Sequence, residues 1–309
     1  MSDLPSTMKA MVLTGHGDVD MYHWHEDWPT PEPGPDDVVI KVGACGLNNT
    51  DVNTRSGWYS KAVDEATTGG AYDEVDDEDP TWGGRPITFP RIQGADPVGR
   101  VIAVGTNADK KIIGKRVLIA GWIRDRNEGM LERANVTEAD TVLIPGASGG
   151  VGGALIQLAK RRGARVIALA SEAKHKDVAE LNPDLLLPRA PEDLRTALGD
   201  EKITVVADVV GGDGWPALIE VLERGGRYTC SGAIAGPIVN FDLRTFYLRD
   251  LTFTGSTSIP QKVFHNIVQY IEDGSIKPML AATYPLAELR EAQTAFIEKR
   301  HTGNIVVVP

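Results

Sequence analysis

Two rhythms divide the chain. From Met8 to Ala120, short β-favourable runs alternate with Gly- and Pro-rich turns. Met8–Thr14 alternates apolar and polar positions, and Asp37–Ala44 (DVVIKVGA) runs between Pro33-Gly34-Pro35 and Cys45-Gly46. Gly99–Val104 and Arg116–Ala120 have the same form. Several short strands separated by such turns predict a small barrel-like β domain. From Thr141 the rhythm changes. Continuous apolar runs at Thr141–Ile144, Arg165–Ala170, Leu185–Leu187, Thr204–Val210 and Arg227–Cys230 alternate with helix-period runs at Gly150–Arg162, Lys174–Leu181, Glu192–Leu198 and Trp215–Glu223. That alternation predicts a doubly wound parallel sheet. The tail reads as a helix, Leu286–His301, then a strand, Asn304–Val308.

Composition adds bounds to this α/β reading. A chain of 309 residues is long for one core, so two domains are expected. Hydrophobic residues at 42% and charged residues at 24% exclude a disordered chain or a fibre. The net charge of −11 argues against a general nucleic-acid binder, which needs a basic face. Eight acids stand between Asp64 and Asp79 with no Lys or Arg among them, and removing those eight leaves −3 for the rest. The excess is one acidic segment, a solvated loop or a lid. No run is long and apolar enough for a bilayer span, and Met1–Lys9 has no leader pattern, so no membrane partner is expected. Two cysteines 185 residues apart, Cys45 and Cys230, suit a reducing cytoplasm and cannot build a four-cysteine zinc site.

The chemistry is concentrated in Gly146-Ala147-Ser148-Gly149-Gly150-Val151-Gly152, which closes one strand and opens a helix. Glycines there let the backbone approach a pyrophosphate, whose charge meets the positive helix end. The next strand ends at Ala170-Ser171, with Glu172, Lys174 and Lys176 behind it. A hydroxyl and basic groups at that end suit the extra phosphate of NADPH, whereas an acid there suits NADH. Ser171 and Lys174 favour NADPH; Glu172 argues the other way.

At these residues the chain resembles the medium-chain dehydrogenase/reductase superfamily, most closely its zinc-independent quinone oxidoreductase branch. The matching runs are Val42–Asp51, Arg55–Tyr59, Gly94–Val101, Gly146–Gly152 and the closing Gly303-Asn-Ile-Val. The resemblance implies a GroES-like β-barrel domain at 1–125, joined by the tail 260–309, and a Rossmann domain at 126–259. It implies an active-site cleft at their junction and a homo-oligomer. It also places Ser231, Gly232 and Ala233 along the nicotinamide ribose and Gly255 and Ser256 near the carboxamide. Gly211, in the loop closing the Thr204–Val210 strand, points at the same crevice.

Zinc alcohol dehydrogenases carry ligands where this chain has Asn48 and Ala95, which argues against catalytic zinc. His23 and His25 read as a barrel or surface pair. The family also carries a longer stretch between Trp122 and the first Rossmann strand. Here Arg126–Gly129 passes directly into Met130–Arg133, as though a segment were missing. The expected activity is hydride transfer from NADPH to a small-molecule quinone or α,β-unsaturated carbonyl. Asn48, Tyr59 and Thr50 are the candidate donors to the acceptor oxygen. The alternatives are an alcohol or aldehyde dehydrogenase, an enoyl thioester reductase, or a non-catalytic NADPH-binding regulator.

Overall fold

The structure, a computed structural model, describes residues 4–72, 75, 79, 81, 84–119, 126–257 and 260–309. Most of the acidic segment (Asp73, Glu74, Asp76, Asp77, Glu78) and the run 120–125 lie outside the described residues. The chain divides into two compact units, one of 1–63, 68–123 and 280–309, the other of 64–67 and 124–279.

The first unit begins with antiparallel β1 (Thr7–Leu13) and β2 (Tyr22–Pro29). The alternation of Met8–Thr14 predicts the first of these; the second carries the His23 and His25 pair. His23 and His25 lie opposite Val12 and Ala10, and His25 packs edge-on to Trp28 at 5.1 Å. Then come β3 (Val38–Gly46), α1 (Asn49–Ser56), β4 (Asp96–Val104) and β5 (Arg116–Leu118). The short helix α1 has a low intrinsic propensity and is held by its ends. Asn48 and Asp51 form a reciprocal capping box, and Gly57 closes the helix at φ 83°. Arg55, fully buried on α1, donates to Gln293 Oε1 at 3.0 Å, Gly17 O at 2.5 Å and Gly69 O at 2.7 Å. One guanidinium thereby fastens three separate segments of the unit.

The second unit contains α2 (Arg126–Arg133), β6 (Thr141–Ile144), α3 (Gly150–Arg161), β7 (Arg165–Ala170), α4 (His175–Ala179), β8 (Leu185–Pro188), α5 (Leu194–Leu198) and β9 (Ile203–Asp208). It continues through α6 (Trp215–Glu220), β10 (Leu222–Cys230), α7 (Leu243–Leu248), β11 (Thr252–Gly255) and α8 (Gln261–Glu272). Six parallel strands lie in the order β11-β10-β9-β6-β7-β8, which reverses direction between β6 and β9. In such sheets the ligand crevice lies at the carboxyl ends of the strands flanking the reversal. Both faces are covered. Val142, Ile144, Val166, Ala168, Val205 and Ala207 pack on one side, and Leu143, Ile167, Leu169 and Val206 on the other. This two-sided burial is why the strands read as continuous apolar runs.

Three differences from the sequence expectation bear on how the second unit is built. The helix from Trp215 stops at Glu220, and β10 starts at Leu222, which is fully buried opposite Ile203. Residues 260–279, expected with the returning tail, group with the second unit. There Ile276 joins the core and Arg161 stacks on Tyr270 at 3.9 Å. The abrupt run after Arg126 forms α2, anchored by fully buried Met130 and Leu131 and by a Glu128–Arg162 ion pair at 2.6 Å.

The chain then returns to the first unit as β12 (Leu280–Pro285), α9 (Leu289–Ile297) and β13 (Asn304–Val308). A five-stranded sheet results, in the order β12-β13-β3-β4-β5. Its core joins Met11, Leu13 and Tyr22 to Leu289, Phe296 and Ile305. Among the described residues, no helix is long and apolar enough to cross a membrane.

Candidate active site

In the second unit, β6 delivers the chain into the glycine turn. Gly146 has φ 67°, a conformation that glycine adopts without strain. A Cβ on Gly152 would lie 2.4 Å from Gly146 O and 2.6 Å from Ala147 Cα, so the helix reaches the turn only because residue 152 has no side chain. Ala147, fully buried, donates its N–H to Leu169 O at 3.0 Å and ties the turn to β7. Gly149 is the N-cap of α3 and offers no side-chain acceptor, so the first N–H groups of the helix, at Gly150 and Val151, remain for an outside anion. Ser148 stands half-buried in the same turn. The backbone cradle therefore suits a dinucleotide pyrophosphate.

Beyond β7, Ser171 is extended and precedes a short 3-10 turn ending at Lys174. Partial burial and the charge of Arg189 hold the Lys174 ammonium below its ordinary range. Arg189 follows β8 directly and is exposed. It was missed in the sequence, where the only signal was a cation just after an apolar strand.

The loop after β9 is organised by Asp208, a fully buried carboxylate. It accepts from Val210 N at 2.7 Å, Gly211 N at 3.1 Å and Tyr228 Oη at 2.9 Å. Burial raises the Asp208 carboxyl despite these donors, and burial together with Asp208 raises the Tyr228 hydroxyl. Gly211 and Gly212 adopt φ 62° and 67° and close against the loop after β10. Ile234 N donates to Val209 O at 3.2 Å, Ala235 N to Val210 O at 2.7 Å and Gly212 N to Gly236 O at 3.0 Å. Ser231, Gly232 and Ala233 thus lie in a loop zipped to the one carrying Gly211. Ser231 Oγ contacts Met130 Sδ at 3.1 Å. Ser256 donates its N–H to Cys230 O at 2.8 Å, and its buried Oγ has no partner among the described residues. An orphaned hydroxyl beside Gly255 is a ready contact for a ligand amide. Asp208 and Tyr228 were also missed; an acid closing a buried apolar run was the available signal.

In the first unit, Asn48 caps α1. Its Oδ1 accepts from Thr50 N at 3.3 Å and Thr50 Oγ1 at 3.2 Å, while its Nδ2 donates to Asp96 Oδ2 at 3.2 Å. Asp51 Oδ2 accepts from Asn48 N at 2.8 Å. Thr50 is therefore spent on holding Asn48. Burial, with Asp96 nearby, pushes the Asp51 carboxyl up to about 7. Burial and Asp51 push the Cys45 thiol up to about 12, which keeps it protonated at neutral pH. Tyr59 is half-buried and meets Trp58 edge-on at 5.7 Å. No hydrogen bond joins Tyr59 to Asn48 or Thr50 among the described residues.

A doubly wound sheet with a glycine cradle at its reversal is built to hold a dinucleotide. Comparison with known proteins extends this. The family model described as "Alcohol dehydrogenase GroES-like domain" matches residues 34–170, and "Zinc-binding dehydrogenase" matches 150–273. A crystal structure from Sinorhizobium meliloti 1021, provisionally named an alcohol dehydrogenase, is 37% identical with a TM-score of 0.88, over 99% of this chain and 98% of that one. The acryloyl-coenzyme A reductase of Sulfurisphaera tokodaii is 25% identical over 98% of this chain and all of its own length. That alignment spans 364 positions against the 309 residues here, so parts of that relative have no counterpart in this chain. The chloroplastic NADPH-dependent alkenal/one oxidoreductase of Arabidopsis thaliana is 26% identical over the whole chain and 81% of its own length. The chain belongs to the medium-chain dehydrogenase/reductase superfamily, whose members are NAD(P)H-dependent oxidoreductases.

Proposed function

We propose that the protein is an NADPH-dependent, zinc-independent reductase of α,β-unsaturated carbonyl compounds and quinones. The observation that carries the reading is the state of Asn48. An amide has two N–H donors, and Asn48 spends one on Asp96, while Thr50 fixes its oxygen. The second N–H has no partner among the described residues. Reduction of a conjugated carbonyl places negative charge on its oxygen, and a preset N–H donor stabilises that charge. Tyr59, with its hydroxyl uncommitted among the described residues, is the second donor in this reading, and Thr50 positions Asn48.

The residues present suit the dinucleotide. Gly146–Val151 and Gly211 would hold its pyrophosphate, Ser231, Gly232 and Ala233 its nicotinamide ribose, and Gly255 and Ser256 its carboxamide. Ser171, Lys174 and Arg189 would receive the 2′-phosphate, which supports NADPH over NADH. Bound NADPH supplies the hydride. Zinc independence is supported by the donor set: Ala95 has no metal-binding atom, and the Asn48 oxygen is engaged by Thr50. The names of the coenzyme A and alkenal reductases support a conjugated acceptor. A homo-oligomer is supported by β11, an edge strand of the six-stranded sheet among the described residues, and by exposed Ile238, Leu243, Tyr247 and Leu248 near it in sequence. Two free thiols support a reducing cytoplasm.

Turnover of an enone and quinone panel with NADPH, in the presence of a chelator, tests the reading. Activity that survives chelation and falls in Asn48→Ala supports it. Activity only after added zinc, or tight NADPH binding without turnover of any acceptor, overturns it.

A further inference from the structure

A row of cations in the first unit has no place in the reading above. In the register of β3, β4 and β5, Lys41 lies opposite Arg100, and Arg100 opposite Arg116. Cross-strand partners share one face of a sheet. At a strand spacing of about 4.8 Å, the three charges are set out over about 10 Å. All three side chains are exposed, and none forms an ion pair among the described residues. Arg100 makes one hydrogen bond, from Nη1 to Gly114 O at 3.1 Å. The surrounding sequence deepens the field. Between Arg100 and Arg116 stand Lys110, Lys111 and Lys115 against the single acid Asp109, whose carboxylate is engaged by Lys111 N at 2.9 Å.

Like charges directly opposite one another destabilise a sheet. An edge strand often carries a cation to prevent wrong pairing, which accounts for Arg116 on β5. It does not account for Lys41 and Arg100, which lie on interior strands. The row also borders an open hollow of about 350 Å³, lined by Lys41, Val42, Val98, Gly99, Arg100 and Arg116. The strands are closely fixed there: a Cβ on Gly99 would lie 2.2 Å from Lys41 O. The chain as a whole carries −11, so this concentration of unpaired positive charge is local.

We propose that the row is a binding site for a diphosphate group, separate from the glycine turn of the second unit. Three cations leave two gaps, each about one strand spacing wide, and two adjacent anionic centres fill both. A single phosphate answers only one. Guanidinium groups match phosphate oxygens in paired hydrogen bonds, and Val98, two residues before Arg100 on β4, gives an apolar floor to the organic part of the ligand.

Calorimetric titration with inorganic pyrophosphate, with and without saturating NADPH, tests this on the full chain. The expected result is saturable binding that persists when NADPH is bound. Arg100→Gln and Lys41→Gln each weaken it about tenfold and leave NADPH affinity unchanged. Without pyrophosphate, Arg100→Gln raises Tm by about 1–2 °C at low salt, because it relieves repulsion along the row. Loss of pyrophosphate binding on adding NADPH would assign that binding to the glycine turn and overturn the proposal. So would equal binding in both variants, or no saturation by about 10 mM.

Discussion

Asp51→Asn isolates a buried carboxylate that works against the fold at neutral pH. Asp51 is 7% exposed, and its carboxyl titrates at about 7 in the folded chain against an ordinary 3.8. Burial is the main cause, and Asp96 adds to it. The folded state holds this proton more tightly than the unfolded chain does. Its stabilising effect is complete below 3.8 and is lost as pH rises to about 7. A shift of about three units at 1.36 kcal/mol each is about 4 kcal/mol. Asparagine keeps an oxygen to accept from Asn48 N but cannot ionise, and weakening that charged cap costs about 1 kcal/mol. At about pH 8 the variant is therefore more stable by about 3 kcal/mol, and at about pH 4 slightly less stable than the parent. At 2–4 °C per kcal/mol, Tm should rise by about 6–12 °C at the higher pH. Scanning calorimetry across this range, following the transition of the first unit, reads the effect. A Tm difference that is the same at every pH would refute the reasoning, because it would mean that Asp51 does not titrate in this range.

Three further outcomes follow from the second unit. Gly152→Val sets side-chain atoms against Gly146 O, and fluorescence titration should show NADPH and NADH both weakened at least about a hundredfold. Unchanged affinity would mean that the turn does not carry the dinucleotide. Arg189→Ala should weaken NADPH about tenfold or more and leave NADH alone, whereas an equal loss for both would remove Arg189 from the phosphate site. Tyr228→Phe removes a donor at 2.9 Å from Asp208 and should cost about 1–3 kcal/mol in denaturant unfolding. The cost should grow with pH, since the buried carboxylate loses part of what stabilises its charge.

Much of the second unit was legible because its strands are buried on both faces. Thr141–Ile144 and Arg165–Ala170 were bounded correctly from apolar continuity alone. Gly146–Gly152 was readable because a close backbone approach demands glycine at fixed positions. The first unit was less open. Its helix α1 is set by a capping box rather than by periodicity, and β12 pairs with β13 near the far end of the chain. Nothing in the sequence marks Arg55 as buried. Its burial depends on Gly17, Gly69 and Gln293, which the sequence scatters widely.

The sequence alone determined the two rhythms, the glycine turn and the residue types at Asn48 and Ala95, which the family resemblance sets where zinc enzymes carry ligands. Each of these is a local property of residue type and spacing. Only the tertiary structure decided that Asn48 keeps one N–H without a partner among the described residues, that Asp51 is driven toward neutrality, and that Asp208 braces the loop after β9. It alone aligned Lys41, Arg100 and Arg116 on three adjacent strands. These are matters of burial and long-range pairing, and a carboxylate or cation carries no mark in the sequence of how far from water the fold will place it.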